Sequence, residues 1–250
     1  MKTLSWFTAL LALALVSSCS TSEKIDANTA EGSFEYAQRF EKDERYEEAI
    51  AQYMDVKNKH PYSKLALEAE LRVADIHYKR ESYIESQSAY QIFKDFHPRH
   101  PKIDYVTFRL AMSYYNQLPE TIDRDLSLAG KAILYFNEVI QSFPRSEFVT
   151  KANEHKTACL KKLANKELYI ADFYFSRDQF DSALGRFEDL LAEYPNLGYE
   201  PRALYGAAFS SFKLKDLPKA RSLYDRLISQ HPDSSEAKKL KDEIGNELQR

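Results

Sequence analysis

From about residue 31 onward the apolar positions recur at intervals of three and four rather than two. A small residue is followed four positions later by an aromatic and three later by another bulky apolar side chain. A proline then comes five residues on. The frame fits Ala49, Tyr53, Val56 and Pro61, and again Ser86, Tyr90, Phe93 and Pro98. It fits Ala132, Phe136, Val139 and Pro144, then Ala183, Phe187, Leu190 and Pro195, then Ala220, Tyr224, Leu227 and Pro232. Such spacing places the apolar set on one face of a helix, and the proline marks where that helix stops. A second series lies upstream of each unit at Ala37, Ala74, Ala111, Ala171 and Ala208. Three residues further on stand Phe40, His77, Tyr114, Tyr174 and Ser211. The pattern predicts five helical hairpins, in which small residues let paired helices approach and aromatics fill the space beside them.

The proline intervals show where the array departs from regularity. From Pro61 to Pro98 and from Pro195 to Pro232 the step is 37 residues, but the two intervening steps are 46 and 51. The third unit is therefore expected to carry an inserted loop over 116–130, with the charge cluster Asp123, Arg124 and Asp125. Extra helix over 147–163 precedes the fourth unit and continues toward Glu167, as a long connecting helix. Residues 234–249 read as a polar capping helix, which a stack of repeats needs at its end.

Composition sharpens this all-α reading. Only six glycines and nine prolines occur in 250 residues, which disfavours a turn-rich β-fold. The net charge is −3 with both signs mixed, and no polybasic block points to nucleic acid. No Gly-rich phosphate loop, His-Glu-x-x-His, Cys-x-x-Cys or Gly-x-Ser-x-Gly is present, so neither catalysis nor a metal site is expected. His97 and His100 could offer two ligands, but a solvated turn accounts for them more simply. Cys159, in a helical stretch, reads as a small core residue.

The first residues form an address. Met1-Lys2 is followed by an apolar run from Trp6 to Val16, too short to span a bilayer but suited to a secretory signal. Val16-Ser17-Ser18-Cys19 resembles a bacterial lipobox, which implies cleavage before Cys19, S-diacylglycerol on its sulfur and N-acylation of its new amino group. Several acyl chains on one residue give stable anchoring where one would be marginal. Ser20 in place of Asp points to the outer membrane, and the polar stretch to residue 30 reads as a flexible tether. The resulting division is 1–18 signal peptide, 19–30 lipidated tether, 31–163 the first three repeats with the connecting helix, and 164–250 the last two repeats with the cap.

The paired-helix motif resembles the tetratricopeptide repeat, which implies a solenoid of about five hairpins. Positions that such a register turns toward a groove are Phe34 and Gln38, Leu71, Asp75 and Tyr78, then Phe108, Met112 and Tyr115. They read either as packing against neighbouring helices or as an aromatic-lined groove for an apolar peptide. The run from His97 to Val106, the inserted loop, Pro144 to Phe148 and Leu163 to Tyr174 together resemble the BamD family of outer-membrane assembly lipoproteins. That resemblance implies a non-enzymatic scaffold at the periplasmic face of the outer membrane. It implies two partners: the periplasmic domain of a barrel-forming subunit, and the C-terminal signal of unfolded barrel proteins. It places Tyr62 in the turn lining the signal pocket and Arg186 at the docking surface for the barrel subunit. Glu47 stands where the family often has arginine, a reversal of charge. Another periplasmic repeat lipoprotein, a pilotin or an envelope-division coordinator, is the alternative.

Overall fold

A computed structural model describes residues 26–248, which form helices and no strands. The leader, Cys19 and the start of the tether lie outside the described residues. In chain order the helices are α1 (Ala30–Lys42), α2 (Tyr46–Lys59), α3 (Lys64–Lys79), α4 (Tyr83–Phe96), α5 (Ile103–Asn116) and α6 (Ser127–Ser142). Then come α7 (Val149–Phe175), α8 (Phe180–Glu193), α9 (Glu200–Lys213), α10 (Leu217–Gln230) and α11 (Ser235–Leu240). A π-helical turn (Lys241–Gly245) leads into α12 (Asn246–Leu248). The order and lengths of the first ten helices are those of a tetratricopeptide-repeat fold, and a short C-terminal cap follows them. The chain divides into two compact units, one ending at Ile76 and one beginning at His77.

The repeat frame is the core. Ala49, Ser86, Ala132, Ala183 and Ala220 are all fully buried. Tyr53, Tyr90, Phe136 and Phe187 are fully buried and Tyr224 nearly so, as are Val56, Phe93, Val139, Leu190 and Leu227. Each fully buried large side chain contributes roughly 1.5–3 kcal/mol before its ordering cost. The small residues of the first helices, Ala37, Ala74, Ala111, Ala171 and Ala208, are equally inaccessible.

The second helix of every hairpin ends in one way. His60, His97, Phe143, Tyr194 and His231 each precede a proline, whose ring pushes the residue before it out of the helical region. All five have φ between −127° and −136° and ψ between 52° and 57°. Each still donates its N–H to the carbonyl four residues back, on Val56, Phe93, Val139, Leu190 and Leu227. The hairpin turns are as uniform in four repeats. Glu44, Glu81, Asp178 and Lys215 take positive φ, between 56° and 67°. The residue after each donates its N–H five positions back, to Phe40, His77, Tyr174 and Ser211. This left-handed turn satisfies the last carbonyls of the first helix.

The third hairpin replaces that turn with the inserted loop, which spans 117–126 rather than 116–130. Asn116 is the last residue of α5, and Ser127 to Gly130 are the first turn of α6. Asp125 starts that helix early: its carboxylate accepts the Ser127 N–H at 2.9 Å and the Ser127 hydroxyl at 2.8 Å. Leu126, 4% exposed, pins the end of the loop. The connecting helix α7 is continuous through residue 163 and carries the fourth repeat's first packing residue, Ala171.

In the second unit, α9 lies close against α8 because position 206 is glycine. A Cβ there would stand 2.2 Å from Phe187 Cε2. The C-terminal segment is amphipathic rather than polar throughout. It buries Ala237, Leu240, Ile244 and Leu248 against Leu204, Tyr205, Tyr224 and Leu227.

Candidate functional site

In the first unit, α1 and α2 are joined by Phe34 and Tyr53, whose rings meet edge-on at 5.2 Å. Phe34 belongs to the core with Ala37, Val56, Val73 and Ile76. Leu71 is likewise buried, at 1% exposure. These two are packing residues, which corrects their reading as groove lining: the protein's own side chains already cover them. Gln38 is exposed on α1, and Asp75 is half-buried on α3. Tyr62 is fully exposed in the turn between α2 and α3, where the Ser63 N–H donates to the His60 carbonyl.

In the second unit, Phe108 is also a core residue. It stacks on Phe148 at 5.0 Å and 17° and is 6% exposed. Tyr78, Met112 and Tyr115 are half-buried and keep accessible surface. Tyr78 is built into a cationic stack that sequence spacing had not singled out. The Arg109 guanidinium lies 4.5 Å from the Tyr78 ring and 5.3 Å from the Tyr105 ring, and its Nε donates to Tyr105 Oη at 3.1 Å. Asn116 Nδ2 donates to Tyr78 Oη at 3.0 Å. The only sequence signal was Tyr105 and Arg109 four apart on one helix, a neighbour pair. A planar guanidinium held between rings keeps donors for a carboxylate or a peptide carbonyl.

Tyr115 has a different role. Its ring meets His155 at 4.8 Å, and His155 stacks on Phe136 at 5.8 Å. Burial among these rings holds the His155 pKa below its ordinary value. Tyr115 and Asn116 also wall a cleft of ≈ 590 Å³ between the inserted loop and α7.

Arg186 projects from α8 with its side chain 43% exposed, and its Nη1 donates to Glu167 Oε2 of α7 at 3.1 Å. Its partner is thus on the neighbouring helix. Three other chemistry-bearing side chains, His97, His100 and Cys159, sit in structural positions. His97 and His100 both set their rings edge-on to Phe93, and His100 Nδ1 accepts the Lys102 N–H at 3.2 Å, as a structured turn requires. Cys159 is fully buried and its thiol is pushed up to about 11, far from a reactive thiolate. Among the described residues no group of three or more His, Cys, Asp or Glu side chains could hold a metal ion, and no helix is long and apolar enough to cross a membrane.

This architecture has relatives. Residues 26–206 match the family described as YfiO, outer membrane lipoprotein. The chain belongs to that family. Residues 174–244 of the YfiO-type chain separately match a tetratricopeptide-repeat family. Several relatives carry the name outer membrane protein assembly factor BamD. The one from Neisseria meningitidis serogroup B is 28% identical over 234 residues, covering 87% of this chain and 86% of its own. The one from Caulobacter vibrioides is 26% identical over 160 residues, covering 64% of this chain and about half, 52%, of its own length. Among solved structures, the TPR2AB domain of yeast Sti1 with pHSP90 aligns over 88% of this chain and 86% of its own, at TM-score 0.47 and 15% identity. YfiO family membership therefore rests on sequence, and the helical repeats agree with it.

Proposed function

We propose that this protein is the lipid-anchored repeat subunit of a β-barrel assembly machinery at the periplasmic face of the outer membrane. The observation that carries the reading is the family match across residues 26–206, which takes in four of the five hairpins and the inserted loop. Cys19 bears the N-acyl and S-diacylglycerol groups, and residues 20–30 tether the folded body to the membrane. The work is holding rather than catalysis.

Two surfaces divide that work. Arg186 on α8 meets a carboxylate of the barrel subunit's periplasmic domain, since a guanidinium pairs bidentately with such a group. The exposed parts of Tyr78, Met112 and Tyr115, with Arg109 between its two tyrosines, receive the C-terminal signal of an unfolded barrel protein. Such a signal alternates apolar residues, and each one buried contributes roughly 1.5–3 kcal/mol before ordering costs. On the first unit, Gln38, Tyr62 and Asp75 are the accessible members of the same candidate set.

Depletion in the native host tests the reading. Outer-membrane barrels should vanish from the envelope while lipoproteins unrelated to assembly persist, and the protein should copurify with a large barrel subunit. Unchanged barrel levels, or copurification with pilus secretin alone, would overturn it.

A further inference from the structure

In the second unit, the turn from α4 into α5 and the turn from α6 into α7 border a cleft of ≈ 420 Å³. That size falls in the usual range of roughly 300–1,000 Å³ for ligand sites. Pro101, Ile103 and Asp104 come from the first turn and the start of α5, and Phe143, Pro144 and Arg145 from the second. Two of the sequence stretches that carry the family resemblance, His97 to Val106 and Pro144 to Phe148, thus converge on one place. The residues they bring to the cleft have no part in the docking or client surfaces.

Both turns are set before any ligand arrives. The His97 and His100 carbonyls accept the His100 and Ile103 N–H groups, each at 3.0 Å. The Phe143 carbonyl accepts the Ser146 N–H at 2.9 Å, and the Ser146 hydroxyl accepts the Phe148 N–H at 3.2 Å. Phe148 ties the second turn to α5 through its stack on Phe108 and its contact with the Tyr105 ring at 5.7 Å. Pro101 and Pro144 have φ fixed by their rings. A ligand therefore meets a cleft with little left to order.

Its lining has two chemistries. Pro101, Ile103, Phe143 and Pro144 are apolar, while Asp104 and Arg145 carry opposite charges. Those charges do not pair: among the described residues neither side chain makes an ion pair or a hydrogen bond. Arg145 is exposed, and its long stem and planar fork suit a carboxylate brought by a partner. Asp104 is short and half-buried, which suits a backbone N–H. An acceptor for N–H, a donor for carboxylate and an apolar floor between them match a peptide. A phosphate group would be drawn by Arg145 and repelled by Asp104.

We propose that the cleft between these two proline turns docks an extended segment of another protein, one that presents a large apolar side chain next to a carboxylate. The apolar side chain lies on Ile103, Phe143 and the two prolines. Arg145 donates to the carboxylate, and Asp104 accepts a backbone N–H of the segment.

The test uses the detergent-solubilised full-length protein and two short peptides with both ends blocked. Each carries photoreactive benzoylphenylalanine, followed by glutamate in one and by lysine in the other. Crosslinks should map to residues 99–104 and 142–146, with the glutamate peptide labelling about fivefold more, the size expected of one charge-assisted contact at an exposed site. Arg145→Glu, at an exposed position, should abolish that preference with an unchanged melting temperature. Ser142→Trp, which fills the cleft from its exposed rim, should block both peptides. Tyr78→Ala and Arg186→Glu should label as the wild type does. Absence of labelling, crosslinks that map elsewhere, equal labelling by the two peptides, or a preference that survives Arg145→Glu would each overturn the site. Displacement of the glutamate peptide by phosphatidylglycerol mixed into the detergent would assign the cleft to a phospholipid headgroup and reject the peptide.

Discussion

Tyr53 shows how a single repeat position carries both packing and polar satisfaction. Its ring is fully buried while its hydroxyl donates to Glu41 Oε2 at 2.6 Å, and burial first, with that hydrogen bond second, drives the phenol pKa far above its ordinary value. Replacing Tyr53 with Phe keeps the ring and removes the bond, so stability should fall by about 1–2 kcal/mol, read as a shift in the urea midpoint at constant slope. His155 gives a pH signature. Its folded pKa is lowered from the ordinary 6.5, chiefly by burial, with Lys151 acting in the same direction and Glu154 against it. The unfolded chain therefore takes up the proton first as pH falls. Stability from this group is full above about pH 6.5 and is lost as pH drops toward the folded pKa. His155→Phe should flatten the melting temperature between about pH 7 and 5, and an unaltered profile would rule the residue out as its source. At this scale the sequence was informative about what repeats. Ala49, Tyr53 and Val56 are legible because four other units echo them. Phe34, Leu71 and Phe108 were not, because register says which way a side chain points but not whether other side chains of the protein already occupy that direction.

Element boundaries follow a few local rules that the sequence states unevenly. The residue before proline loses the helical region wherever it occurs, so all five second helices stop where the prolines predict. The start of α6 falls before the expected loop end at residue 130, because the Asp125 carboxylate has already captured the Ser127 N–H. The left-handed turns were invisible, since Glu44, Glu81, Asp178 and Lys215 are not the glycines such a backbone favours. Gly206 makes a sharper case. In a helix interior, alanine is intrinsically better than glycine by about 1 kcal/mol. Here, however, the new methyl group would overlap the fully buried Phe187 ring, with no flexible end to yield. Overpacking of this kind costs about 1–3 kcal/mol, so Gly206→Ala should be destabilising on balance. Calorimetry of the purified variant would check it, and Phe187→Leu in the same chain should restore part of the loss by opening room for the methyl group.

At the scale of the whole molecule, the proposed anchoring and docking can be tested separately. If Cys19 carries the proposed lipid, Cys19→Ser should move the protein from the membrane to the soluble fraction without altering its helical content, since the proposed acyl chains alone would hold it there. Docking through Arg186 can be probed from both sides of its own ion pair. Arg186 already holds Glu167 at 3.1 Å on a partly exposed surface, where a pair contributes little, about 0–1 kcal/mol. A partner carboxylate that uses the guanidinium must share it with Glu167 or displace it. If Arg186 docks the barrel subunit, Arg186→Glu should weaken binding by tenfold or more, since it replaces attraction with repulsion toward both carboxylates. Glu167→Gln makes the opposite prediction. It removes the internal competitor, leaves the arginine charged, and should tighten binding about two- to fivefold, with the gain fading as salt is raised. A purely structural Arg186 behaves otherwise: both variants would then weaken binding together, through loss of the α7–α8 tie, and neither would show a salt dependence of its own. The pair of dissociation constants, measured on the folded proteins at low and high salt, separates a docking arginine from a stapling one.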